Sequence, residues 1–234
     1  KDPMRPAAVT VATVYAFLLM SIENYEAALE VVQRAEEWKS DHPNLHILAG
    51  TILQNMAIDH EREEDLLRAA EASFRFCMER VHQTYNEELM PGACTWAAWR
   101  GLGEVLVALG RPEEAAHYFE LVRKAGRDDI RSILGVAQSQ LMRKAPSEAL
   151  KTVAPVMQQA KADGWTIAAH ACVQVGQFED ATELFHRAHI ASRHGFIYPT
   201  RRRLLRLVDG ALQAKDTFVS LGGILVQRSF LLSL

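Results

Sequence analysis

Residues Trp99 to Val122 read WRGLGEVLVALGRPEEAAHYFELV, and this stretch decides the fold. Trp99, Leu102, Gly103 and Leu106 stand at i, i+3, i+4 and i+7, one face of a 3.6-residue period. Gly110-Arg111-Pro112 then stops one helix and starts another, because glycine suits a helix end and proline a helix start. Beyond it Ala115, Phe119 and Val122 form the same kind of face. Gly103 and Ala115 are small where two helices must approach closely, and Trp99, Leu106 and Phe119 are large where the gap must be filled. The stretch is a helix–turn–helix hairpin.

The chain repeats it. Ala115 recurs as Ala149 inside SEALKTVAPV and as Ala181 inside FEDATELFHRA, intervals of 34 and then 32 residues. Leu102-Gly103 recurs as Leu134-Gly135, Trp99 as Trp165, and Gly110 as Gly176. Upstream, YEAALEVVQRA (Tyr25 to Ala35) carries Ala28, Val32 and Ala35 on the second-helix face. At these residues the sequence resembles the tetratricopeptide (TPR) family, whose helix pairs carry W-x2-L-G-x2-Y and then A-x3-F-x2-A. The resemblance covers roughly residues 8–190, is strongest at 96–125 and 162–189, and is weakest at 44–82. It implies an all-α, right-handed superhelical solenoid of about five antiparallel helix pairs with C-terminal capping helices.

In chain order, Lys1-Asp2-Pro3 reads as the remnant of a cleaved expression tag, with Met4 beginning the chain proper. Residues 4–82 hold the first two hairpins, the first over 8–22 and 24–39 and the second from Asn44. The second helix of that second hairpin, carrying Ala70, Phe74 and Cys77, comes 8 residues later than the period demands. The excess lies in AIDHEREEDL (57–66), read as an extension of the helix pair with a solvated tip. Residues 83–95 form a connecting segment broken at Pro91-Gly92, and 96–190 carry the third to fifth hairpins. After a loop at 192–200, Thr200 caps a helix whose Leu204, Leu205, Val208 and Leu212 close the array, as stacked repeats require. The apolar end TFVSLGGILVQRSFLLSL (217–234) is read foremost as a final packed helix. A dimer or partner-docking element is the second reading for it. A membrane anchor is the last, since Gly222-Gly223, Gln227 and Arg228 interrupt its centre.

Composition narrows function. A chain of 234 residues with 49% apolar content can bury a core, and a net charge of −3 argues against general attraction to nucleic acid or membranes. Cys77, Cys94 and Cys172 are odd in number and lack CxxC spacing, so they read as reduced thiols of a cytoplasmic protein. Residues 5–22 are apolar but fit the helical period and lack a basic leader and a cleavage site.

No catalytic pattern stands out. GxSxG, HExxH and a phosphate-binding glycine loop are absent, and Gly101-Leu102-Gly103 follows no strand. Glu183, His186 and His189 could share a helix face, yet Glu183 and His186 occupy outward positions where polar residues are simply solvated. No metal and no cofactor is expected, and the chain reads as a non-enzyme. Arg201, Arg202, Arg203 and Arg206 form a basic cluster that reads as the solvated face of the capping helix, or else as a phosphate clamp.

The resemblance implies that the first helices line a concave groove fit for an extended peptide or a partner helix. The residues expected to face it are Thr13, Phe17 and Met20, then Ile47, Thr51, Gln54 and Asn55, then Arg100 and Glu104. Further along they are Val136, Ser139 and Gln140, then His170, Val173 and Gln174. One branch of the family grips acidic chaperone tails with a Lys, Asn and Arg clamp. Thr13, Phe17 and Leu48 stand at the corresponding places, which argues against that ligand. The expected function is a non-enzymatic protein-binding scaffold or chaperone-like adaptor, with homodimerisation through the C-terminal segment as a further option. A structural subunit of a secretion, trafficking or coat assembly is the alternative, and an RNA-associated or enzyme-accessory module using the arginine cluster is the third.

Overall fold

The recurring apolar face produces helices where the period places them. In the computed structural model they are α1 (Arg5–Ser21), α2 (Tyr25–Trp38), α3 (Pro43–Met56), α4 (Glu63–Met78), α5 (Trp96–Ala108) and α6 (Pro112–Lys124). There follow α7 (Ile130–Met142), α8 (Pro146–Val153), α9 (Met157–Ala160), α10 (Ala162–Gln174) and α11 (Phe178–Ser192). Strands β1 (Phe218–Leu221) and β2 (Ile224–Gln227) come last. The structure describes residues 5–38, 41–58, 60, 62–80, 90–127, 129–192, 218–221 and 224–227. The chain divides into two units, 1–127 and 128–234.

In the first unit α1 pairs with α2, α3 with α4, and α5 with α6, and each hairpin packs on the next through α2–α3 and α4–α5 contacts. The first helices are also neighbours, α1 beside α3 and α3 beside α5. In the second unit α7 pairs with α8, α10 pairs with α11, and α10 lies against both α7 and α8.

One turn design joins the helices of four hairpins. Glu23, Gly110, Lys144 and Gly176 all adopt positive φ, between 59° and 81°. The following amide reaches back to close the helix: Asn24 N–H to Leu19 O, Arg111 N–H to Leu106 O, Ala145 N–H to Gln140 O and Gln177 N–H to Cys172 O. This bond satisfies carbonyls that a helix end would otherwise leave open. Pro112 and Pro146 then begin α6 and α8 at a position where no amide proton is needed.

Aromatic rings against glycines set the spacing in the first unit. A Cβ on Gly50 of α3 would lie 2.8 Å from the Phe74 ring, and one on Gly101 of α5 would lie 2.5 Å from it. Phe74, on α4 between them, is 1% exposed, so a single ring fills the gaps of two first helices. Gly103 receives Phe119 in the same way. On the outer side, Glu71 of α4 accepts from Arg75 at 2.7 Å and from Arg111 at 2.9 Å, tying α4 to the start of α6. Arg111 also pairs with Glu114 at 2.6 Å.

The structure corrects several expectations. α3 ends at Met56, and Glu63, Glu64 and Asp65 form the acidic first turn of α4, where they complement the helix dipole. The end of the charged stretch thus lengthens the second helix of this pair: α4 starts at Glu63, seven residues before Ala70, where α6 starts at Pro112, three before Ala115. The second helix of the fourth hairpin stops at Val153 and is followed by Pro155; α9 is a separate turn, and Lys161 makes the corner into α10 at φ 48°. The terminal segment expected as a helix holds antiparallel β1 and β2, with Phe218 opposite Gln227 and Leu221 opposite Ile224. The Gly222-Gly223 pair between them is unfavourable in a helix and favoured in two-residue hairpin loops, and β-branched residues suit the strands. The capping helix expected over 200–214 lies outside the described residues.

Candidate functional site

The surface to test is the face of the first helices, taken for each unit separately. On α1, Phe17 is 44% exposed and Met20 is half-buried beside the core. On α3, Thr51, Gln54 and Asn55 are half-buried, as are Arg100 and Glu104 on α5. Gln54 Nε2 donates to Glu104 Oε2 at 3.0 Å, joining α3 to α5 across the face. Asn55 Nδ2 donates to Thr51 O at 2.7 Å, and Thr51 Oγ1 donates to Ile47 O at 2.8 Å. The Arg100 guanidinium lies 5.5 Å from the centre of the Trp96 ring, and Arg127 lies 5.4 Å from it. The first helices of this unit thus carry amide, hydroxyl and carboxylate groups on α3 and α5 and an exposed Phe17 on α1.

In the second unit Val136 and Gln140 of α7 are half-buried. Gln140 Oε1 is enclosed without a hydrogen-bond partner. Gln174 Nε2 donates to Leu141 O at 3.2 Å, which links α10 to α7. His170 of α10 lies 5.3 Å from the Phe185 ring, and loss of hydration pushes its imidazole down to about 4. It is therefore neutral at physiological pH. At the start of α10, burial raises the Asp163 carboxyl to about 6.

Four of the residues expected to line the groove are buried instead. Thr13, Ile47, Ser139 and Val173 are at most 9% exposed. Thr13 is small and sits among the buried residues of α1, while Ser139 turns its hydroxyl back to Gly135 O at 2.9 Å within its own helix. These side chains support the face from beneath. Arg201, Arg202, Arg203 and Arg206 lie outside the described residues.

Two features were missed in the sequence. One is the Glu71, Arg75, Arg111 and Glu114 cluster, which the i, i+4 spacing of Glu71 and Arg75 hints at without indicating that Arg111 joins them. The other is an apolar row on α1 that faces away from the hairpins. Its signal was the lack of any charge between Arg5 and Glu23.

Among the described residues no three His, Cys, Asp or Glu side chains converge to hold a metal ion. Cys77 is buried, and burial pushes its thiol up to about 12, so it is no nucleophile. No helix among the described residues is long and apolar enough to cross a membrane.

No family model and no curated protein matches the sequence. Solved structures do match the fold. One is the crystal structure of YrrB, described as a TPR protein with an unusual peptide-binding site. It is 20% identical over 78% of this chain and 89% of that one, with a TM-score of 0.50. Another is PilF of Pseudomonas aeruginosa, 16% identical over 88% of this chain and 84% of that one, with a TM-score of 0.57. Helix pairing, turn design and these likenesses agree: the chain has an all-α, TPR-like fold.

Proposed function

We propose that this protein is a non-enzymatic protein-binding scaffold, and that the first-helix face of its first unit receives a peptide segment or helix of another protein. The observation that carries this reading is the combination on α1, α3 and α5 of an exposed Phe17 with the half-buried row Thr51, Gln54, Asn55 and Glu104. An extended backbone presents amides and carbonyls at regular intervals, and side-chain amides and a carboxylate can pair with both kinds of group. Phe17 offers the apolar anchor that such interfaces concentrate their energy on. The Gln54–Glu104 bond keeps both groups satisfied while the face is empty, and a ligand exchanges it for bonds of its own. The likeness to YrrB, a TPR protein with a peptide-binding site, supports the peptide reading at the level of the fold.

A phage-displayed library of short random peptides, selected on the whole chain, tests the proposal. Selected peptides should lose about tenfold or more in affinity on Phe17→Glu and on Gln54→Ala, the range of an interface anchor. Peptides that bind both variants as tightly as the wild type would move recognition off this face.

A further inference from the structure

A carboxyl and an imidazole meet where the first hairpin packs on the second. Glu36 of α2 and His46 in the first turn of α3 place Oε1 and Nδ1 3.3 Å apart, with side chains 27% and 15% exposed. The imidazole also stacks on Phe76 of α4, with ring centres 3.8 Å apart, and the Arg80 guanidinium lies 3.1 Å from the centre of that same ring. His46 thus touches both α2 and α4, on either side of its own helix. The next junction is tied differently. Arg111, at the start of α6, meets Glu71 of α4 at 2.9 Å, and a guanidinium keeps its charge throughout the physiological range. One joint of this unit is titratable and its neighbour is not.

With an ionised carboxyl and a neutral imidazole the Glu36–His46 pair carries one negative charge, and after taking up one proton it is neutral overall. The charged groups around it come from each packed element. Arg80, beyond the Phe76 ring, faces Glu79 at 3.8 Å. Asp41 precedes α3, His42 Nδ1 accepts from the Asn44 amide at 3.2 Å, and Glu37 follows on the exposed side of α2. Helix α1 has no charge between Arg5 and Glu23. Helix α5 offers Arg100 and Glu104, and Glu104 holds Gln54 two turns further along α3. Loss of hydration favours the form without net charge, so the docked hairpin holds the extra proton more tightly than a detached one. In keeping with this, burial holds the Glu36 carboxyl above its ordinary value, with His46 drawing it part of the way back. We infer that Glu36 and His46 form a proton-operated joint, by which the first hairpin docks on the second more tightly in mild acid than at neutral or alkaline pH. A proton bound more tightly in the docked form contributes stability below the pair's titration, and that stability is lost as pH rises through it. Phe17 belongs to this hairpin, so the joint also sets how firmly the anchor of the proposed peptide face is held. Docking is read without any peptide, so the two readings fail separately.

Hydrogen exchange of the whole chain from about pH 5 to about pH 8, corrected for the intrinsic rate at each pH, reads the joint. Protection of the α1 and α2 amides should fall about 3- to 10-fold more than that of the α6 amides across this range, tenfold corresponding to a titration displaced by one pH unit. Glu36→Gln keeps the shape without the charge. It should flatten this dependence and protect α1 and α2 better than the wild type does at the alkaline end. His46→Leu leaves the carboxylate without its partner, so it should steepen the fall while keeping protection near the wild-type level at the acid end. Wild-type protection that is the same at both ends of the range overturns the inference. So does a dependence that Glu36→Gln leaves in place, or one that His46→Leu does not steepen.

Discussion

The two units solve the same packing problem with different atoms. In the first, α4 and α6 carry rings, and each ring lies where a first helix has glycine: Phe74 against Gly50 and Gly101, Phe119 against Gly103. In the second, α8 has Val153 at the position where α6 has Phe119, ends there, and is followed by Pro155. The single turn α9 then brings backbone against backbone, so that a Cβ on Gly164 of α10 would lie 2.9 Å from both Cα and O of Met157. A ring at the end of a side chain can tilt by a few tenths of an ångström when crowded, whereas a main-chain carbonyl moves only with its helix. The difference teaches that equivalent positions in a repeat can share a spacing while depending on different residues.

Substitution at the ring should break this comparison most severely. Phe74→Ala removes the filler of two gaps at once and should cost about 3–5 kcal/mol in urea-induced unfolding. Val153→Ala should cost roughly 2 kcal/mol, since fewer buried methyl groups are lost. Equal losses would mean that the ring is not what joins α3 to α5.

The glycines sharpen the contrast. Gly164→Ala should destabilise the chain by about 2 kcal/mol, the usual penalty for overpacking against an unyielding neighbour. Gly103→Ala should cost about half as much, because Phe119 can shift. Alanine already stands at that register at Ala169, in a hairpin whose second helix carries Phe185. Calorimetric melting of the pair decides the order, and a reversed order would contradict the distinction between ring and backbone contacts.

The smallest effect concerns what the two units share. Gly110 in one and Lys144 in the other make the same turn at φ 76° and 60°. Lys144 is exposed and strained for an L-residue, so Lys144→Gly should relieve the turn and stabilise by about 0.5–1 kcal/mol, read as a rise in melting temperature. Gly110→Lys should lower it by a similar amount. A fall on Lys144→Gly would show that lysine contributes something at this turn beyond its backbone angle.

Much of this was legible in the residues. Trp99, Leu102, Gly103, Ala115 and Phe119 placed α5 and α6 within a residue or two, because a 3.6-residue period and a Gly-x-Pro break leave few alternatives. The charged stretch 57–66 was harder to place. Charge tells that a segment is solvated, and both a connection and an acidic first helical turn satisfy that. The end of the chain misled in another way: apolar content suggested a helix at 218–227, where Gly222-Gly223 and the neighbouring β-branched residues favour paired strands. Among the expected groove residues, Thr51, Gln54, Asn55 and Glu104 are half-buried while Thr13 and Ile47 are buried, since a helix wheel gives a direction and not the depth of what lies over it.

What the sequence determined by itself was therefore local and periodic: the hairpins, their turns, and the small–large pairing that holds helix to helix. These depend on residues three, four and some sixteen positions apart, which the chain order preserves. Tertiary structure alone decided which glycines take a ring and which take backbone, that Arg111 joins Glu71 across two hairpins, and that the α1 row lies open while its α5 counterpart is buried. Burial belongs to a residue's neighbours, and Tyr15 and Leu102 share a register but not a neighbour.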